Sequence, residues 1–324
     1  MEAVSADLAA QDEVSMIHPV FIGCDVSKDF LDIFDDGTQK HERIPNAGVA
    51  INAWIDGLGA RPVTIVLEAT GRYDRLFCTT LDARQRPYCR VNPARARDFA
   101  RATGFLAKTD MLDARVLAQL GKRLDPTPRA APDPERRRLA DMQSRRGQLV
   151  AMRQQERVRL HSAEPQERDS IERHVRWLDE EIALIEKACL DHVRAHRTLR
   201  EDNARLRSIP GVGPVTAFTL LAFMPELGHG APKSMAALAG LAPFNADSGT
   251  QRGQRHIRGG RKRVRDALYM AALVAFRLKR PFARSVQTMT EKAKPFKVMI
   301  VAIARKILTT ANALLRDRTT FRTA

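Results

Sequence analysis

A carboxylate set at the end of an apolar strand constrains this chain more than any other feature. Phe21-Ile-Gly-Cys-Asp25-Val-Ser-Lys-Asp-Phe30-Leu-Asp-Ile-Phe34 reads as two short strands joined by a tight polar turn. Asp25 then closes a buried strand. An anion there is costly unless a cation or several donors meet it. The plain alternative is an Asp that bonds its own turn backbone, and the choice between the two rests on whether other acids join it.

Beyond this pair, strand and helix alternate to about Lys122. A third short strand is expected around 41–44 and a helix near 49–58. Pro62-Val-Thr-Ile-Val-Leu-Glu68 is a β-branched run of the buried-strand kind, and it too ends in an acid. Gly71 opens a helix to about Arg84, Tyr88–Val91 forms another strand, and Pro93 starts a helix at its favoured first position. Residues 107–118 read as a helix with Asp110 near its start, and Asp113 lies on the same face. Either acid could simply cap that helix or offset its dipole. The class is α/β, with one mixed sheet.

Pro126, Pro128, Pro132 and Pro134 mark a linker. Residues 136–207 are charged in both signs, and from Ile171 apolar or semi-apolar residues fall at 175, 178, 182, 185, 189, 192, 196, 199 and 206. That 4-3 spacing predicts a coiled coil, and Pro165 divides it into a hairpin that either joins two protomers or packs within its own chain. Ser208-Ile-Pro-Gly211-Val-Gly213-Pro opens a further, mainly helical domain. Gly211 and Gly213 before a helix could present backbone N–H groups to a phosphate, in the manner of a helix-hairpin-helix element, or make a plain turn. Helical segments are expected at 215–224, 234–241, 266–279 and 295–315. The organisation is therefore a tail 1–17, an α/β domain 18–125, a linker 126–135, a coiled-coil dimerisation segment 136–207 and a C-terminal domain 208–324.

The charge is uneven. Lys+Arg number 54 against 38 Asp+Glu, a net of +16. Residues 251–306 carry sixteen Lys/Arg and two acids, so most of the excess is in one place. Such concentration points to a polyanion. Arg252, Arg255, Arg258, Arg261, Lys262 and Arg263, with Lys108 in the first domain, are the candidate nucleic-acid contacts, arginine forks being suited to phosphate. Four cysteines without metal-ligand spacing read as reduced, mostly buried thiols. Glu2, Asp7, Asp12 and Glu13 do not fit a signal peptide, and no membrane-spanning stretch is expected.

Asp25, Glu68, Asp110 and Asp113 are thus the acids that end strands or start a helix in the first domain. Four converging carboxylates call for divalent cations, and magnesium suits their oxygen donors. The motifs Ile-Gly-Cys-Asp25-Val-Ser-Lys, Leu-Glu68-Ala-Thr-Gly-Arg-Tyr and Lys-Thr-Asp110-Met-Leu-Asp113-Ala resemble, in order, those of the DEDD-type insertion-sequence transposases. Ile-Pro-Gly-Val-Gly-Pro, Ala-Gly-Leu-Ala-Pro, Asp247-Ser248-Gly249 and Arg-Asp-Ala-Leu-Tyr-Met are similar to the second domain of that family, so the likeness runs from about 18 to 315.

That resemblance implies a RuvC-like, ribonuclease-H-like catalytic domain, a coiled-coil dimerisation segment and a second transposase domain. It implies two Mg2+ per composite site, Ser248 as the nucleophile that forms a phosphoserine link to DNA, and a structured bridge RNA that pairs with donor and target DNA. It further implies a homodimer, tetrameric when active, in the bacterial cytoplasm at the nucleoid. Two other readings compete with it: a junction resolvase or nuclease that uses water, and a non-catalytic RNA- and DNA-binding scaffold.

Overall fold

The computed structural model describes residues 20–69, 71, 73–105, 110–128, 133–244, 256–278 and 282–322. The chain divides into two compact units, Met1–Ala131 and Pro132–Ala324, and the division falls inside the proline-marked stretch.

The first unit runs β1 (Val20–Val26), β2 (Phe30–Asp35), β3 (Lys40–Pro45), α1 (Gly48–Gly57), β4 (Val63–Glu68), α2 (Arg75–Ala83), β5 (Tyr88–Val91), α3 (Pro93–Ala102) and α4 (Asp110–Leu124). Its sheet has the order β3-β2-β1-β4-β5. The first three strands form an antiparallel meander, and β4 and β5 continue parallel to β1. The α/β class and the mixed sheet are as expected. The helix assigned from Gly71 begins instead at Arg75, because Gly71 has φ +86°, outside the helical region.

Strand pleating sends successive side chains to opposite faces. Ile22, Cys24, Ile65 and Leu67 pack beneath α1 and α2 with Ile51, Ile55, Phe77 and Leu81. Phe21 and Val66 face the other way and pack with Leu117 and Leu120 of α4. Fully burying each such side chain is worth about 1.5–3 kcal/mol. This second face is the one that carries the acids.

The second unit runs α5 (Pro134–Ser162), α6 (Pro165–Ala195), α7 (Arg197–Arg207), α8 (Pro214–Phe223), α9 (Pro232–Leu238), β6 (Pro243–Phe244), β7 (His256–Ile257), α10 (Lys262–Arg277), α11 (Ala283–Glu291) and α12 (Phe296–Asp317). No 4-3 position from Ile171 to Leu206 is exposed. The seam is filled from within the chain: Leu149 of α5 packs with Leu178 and Ile182 of α6. The register continues to Leu206, but the helix does not, because His196 takes an extended conformation (φ −107°, ψ 117°) between α6 and α7.

Leu139, Cys189 and Val193 at the foot of this hairpin share one core with α7, α8, α10 and α12. Gly211, at φ +92°, passes directly over the backbone of α10. A Cβ there would meet the Ala271 carbonyl and stand 3.0 Å from Ala275 Cβ, so packing accounts for this glycine. Among the described helices α12 alone is long and apolar enough, by length and composition only, to cross a bilayer. Its apolar side is buried within the unit through Ile300, Ile303, Ile307, Leu308 and Ala311. All four cysteines are free and buried.

Candidate active site

The site is built on the C-terminal ends of β1 and β4. The parallel register pairs Cys24 with Leu67, which sets Asp25 and Glu68 side by side at the next position. On the other flank, Asp25 lies directly opposite Asp32 of β2, and Asp32 opposite Arg43 of β3. These four residues therefore form a row on one face of the sheet.

Helix α4 crosses that face antiparallel to β1. Gly121 lies over Phe21, where a Cβ would stand 2.6 Å from the ring, and Ala114 and Ala118 lie over Gly23. A helix rises about 1.5 Å per residue and a strand about 3.3 Å, so two strand residues match between four and five helix residues. The residues of α4 that reach Asp25 are then those near 112, and the first turn brings Asp110 and Asp113 to it. Gly23 is what permits this approach. Its missing side chain lets the α4 backbone rest on β1, with a built Cβ falling against the Ala114 carbonyl oxygen and 2.5 Å from Ala118 N.

Electrostatics give the same neighbours. Burial, followed by the charges of Asp113, Asp110 and Glu68, pushes the Asp25 carboxyl from its ordinary value up to about 6, while the Val26 backbone N–H acts in the opposite sense. Asp110 and Asp113 are also the acids of the α4 first turn, so the helix dipole favours both.

Two residues of the cluster escaped the sequence reading. Asp32 is 2% exposed, and Arg43 forks it through Nε at 2.9 Å and Nη2 at 2.9 Å. The same Arg43 Nη2 donates to Asp110 Oδ2 at 2.8 Å, and His41 Nε2 lies 3.2 Å from Asp32 Oδ1. The signal was the period of β2: Phe30, Asp32 and Phe34 share a face, and Asp32 is its inward polar member.

Among the described residues the four sequence-identified carboxylates do not close to within 4.8 Å of one another in any set of three. Like charges repel to such a spacing. The donor chemistry fits a hard divalent cation: every donor is a carboxylate oxygen, with Asp25, Glu68 and Asp113 partly buried and Asp110 exposed.

The remaining expected residues divide. Arg258 lies over the Phe244 ring, Lys262 pairs with Asp266 at 2.6 Å and Arg263 reaches Ser144 Oγ at 2.6 Å; all three are exposed. Arg261 turns inward, forking Glu226 at 2.6 Å through both terminal nitrogens and donating to the Phe223 carbonyl at 2.8 Å. The helix expected at 266–279 starts earlier, since Lys262 to Arg265 form the first turn of α10. Gly213 is the N-cap of α8, and space is open around it. Lys108, Ser248, Arg252 and Arg255 lie outside the described residues.

Comparison with known proteins matches two stretches of the chain, the first of which runs past the unit boundary to the end of α5. Residues 22–163 match the DEDD transposase model of the IS110 group, and residues 203–287 match a model described as the transposase IS116/IS110/IS902 family. The pilin gene-inverting proteins of Moraxella lacunata and Moraxella bovis are each 26% identical over 315 residues, covering 93% of this chain and 97% of theirs. With both models matched in chain order and the acids of the first gathered on one sheet face, the chain is similar to the IS110-type transposases in each of these two stretches.

Proposed function

We propose that this protein is a DNA recombinase of an insertion sequence whose acids Asp25, Glu68, Asp110 and Asp113 hold Mg2+, two per composite site, and whose Ser248 is the nucleophile. The observation that carries the reading is the meeting of the ends of β1 and β4 with the first turn of α4, felt as the raised carboxyl of Asp25. The strand order, meander first and parallel strands after, supports a ribonuclease-H-like unit. Bound there, a divalent cation would supply Lewis-acid stabilisation of charge on a phosphoryl oxygen.

In this reading the Ser248 Oγ attacks a DNA phosphorus and gives up its proton to water, while the bond to the leaving deoxyribose oxygen breaks and that oxygen takes a proton from water. The hydroxyl of the exchanged strand then reverses the step and frees the serine. Energy of the cut bond is kept in the phosphoserine ester, so no external source is needed to rejoin strands. A relative whose name describes gene inversion supports rejoining over hydrolysis, because an inversion requires cut ends to be joined again.

Arg258, Lys262 and Arg263, with Lys108, Arg252 and Arg255, would hold nucleic-acid phosphate, a contact that positions the backbone without reading sequence. Sequence choice would fall to a structured RNA paired with donor and target DNA. The acids of one protomer and the serine of another would complete each site, in a homodimer or tetramer acting on DNA in the cytoplasm.

The test uses full-length protein with the RNA encoded beside its gene and a supercoiled target. Ser248→Ala abolishes both recombination and the denaturation-resistant protein–DNA adduct, with folding intact; an adduct that persists removes Ser248 from the chemistry. Asp25→Ala or Asp113→Ala blocks cleavage, and full activity in chelator would exclude the cation.

A further inference from the structure

We infer that Glu135, His192 and His196 form a second cation site, separate in the chain from the acid cluster and suited to Zn2+ or a similar transition metal. Glu135 lies in the first turn of α5, His192 in the last turn of α6, and His196 at the break between α6 and α7. One ligand atom from each lies within 4.8 Å of the other two. His192 Nε2 is 3.4 Å from Glu135 Oε2, and His196 Nε2 is 3.1 Å from the same oxygen. Donors about 2.05 Å from a tetrahedral Zn2+ stand about 3.3 Å from each other. The two edges from the carboxylate oxygen to the imidazoles therefore match those of a tetrahedron.

Proton positions make the same point. His196 Nδ1 lies 2.8 Å from the His192 carbonyl oxygen, so it carries hydrogen and donates there. In the neutral ring this leaves a lone pair on Nε2, aimed at a carboxylate oxygen 3.1 Å away. Two acceptors do not face each other at that distance without a proton or a cation between them. The Nδ1–H bond to a backbone carbonyl is also the outer contact that metal-binding histidines use to fix ring and tautomer. His192 Nε2 meets the Glu135 carbonyl oxygen at 3.0 Å. On metal uptake the Nε2 proton passes to Nδ1, so the ring stays neutral and the Nε2 lone pair is free for the cation.

The ligand set selects the metal. Two imidazoles and one carboxylate favour zinc, cobalt or nickel over magnesium, which prefers oxygen alone. The consequence is mechanical. Glu135 and the two histidines come from opposite ends of the α5–α6 hairpin, so a cation here clips its foot and fixes the bend at His196.

Full-length protein stripped of metal and held in excess Mg2+ is titrated with Zn2+, and with Co2+ for its visible spectrum. One equivalent binds per chain, protons are released, and the Co2+ form shows the intense bands of four-coordinate geometry. Affinity falls at least tenfold in His196→Ala and Glu135→Gln, is retained in His196→Cys, and is unchanged in Asp113→Asn, which alters the acid cluster alone. Binding that survives His196→Ala, or that is lost in Asp113→Asn, overturns the assignment, as does the absence of any binding beyond Mg2+. Circular dichroism of each apo variant separates lost ligation from lost folding.

Discussion

Replacing Gly23 by alanine tests whether contact between α4 and β1 sets the acid cluster. The added Cβ would press on the Ala114 carbonyl and stand 2.5 Å from Ala118 N, both backbone atoms that no rotamer change can move. Ordinary contact begins at 3.4 Å, so α4 must withdraw by about 1 Å to clear the nitrogen alone. Overpacking of this kind costs about 1–3 kcal/mol. The same displacement carries Asp110 and Asp113 away from Asp25, and about 1 Å of misplacement in a catalytic group can cost about a hundredfold in rate. Gly23→Ala is therefore expected to lower the denaturant midpoint and to reduce strand cleavage about a hundredfold while DNA affinity is retained. With Asp113 more distant, the Asp25 carboxyl should titrate lower than about 6, read by carbon-detected NMR of the metal-free protein. Gly147→Ala is the control, since its Cβ meets nothing within 4 Å and it lies in mid-helix, where alanine stabilises by about 1 kcal/mol. A Gly23→Ala protein with native stability and native cleavage would refute the reasoning.

Asp25→Asn should stabilise the metal-free protein at neutral pH. With its folded value raised to about 6, Asp25 favours the folded state below its unfolded value of about 4; the gain is lost as pH climbs through about 6, beyond which the charged form is a cost. Allowing for solvent screening of a half-exposed group, the relief is about 1 kcal/mol, a rise in Tm of about 4 °C seen at pH 8 and absent at pH 4; no difference at pH 8 would count against the cluster. Lys262→Ala or Arg258→Ala should reduce the slope of log affinity against log salt by about 1 for each phosphate that is no longer neutralised. Arg261→Ala should leave that slope unchanged and instead cost about 1.5–3 kcal/mol of stability, because its fork to Glu226 is internal. Burial pushes the Cys24, Cys78 and Cys89 thiols up, the latter two to about 11, so a thiol reagent at pH 8 should label none of them before unfolding.

Local signals were legible where the period was clean. The β-branched run at Val63–Leu67 and the 4-3 stripe of α6 each state in sequence which face is buried. The two-residue strands Pro243–Phe244 and His256–Ile257 are too short to carry a period, and α11 buries none of its residues. What the sequence could not show was pairing across distance. Arg43 finds Asp32 only once the register of three strands is set, and finds Asp110 only once α4 has crossed the sheet, 67 residues later in the chain. Glu135 and His192 are 57 residues apart and meet because a helical hairpin returns the chain to its own foot. Arg261 was counted with its basic neighbours; its inward turn depends on Glu226 being placed across from it.

The charges around the cluster support the cation proposed for its acids. Arg43 is shared between Asp32 and Asp110, and His41 adds a charge only when protonated. Asp25 lies among the charges of Asp113, Asp110 and Glu68, and burial together with those charges raises its carboxyl to about 6. On the proposed reading the ion that these acids hold is compact, doubly charged and oxygen-seeking, and the phosphate it would meet is that of DNA.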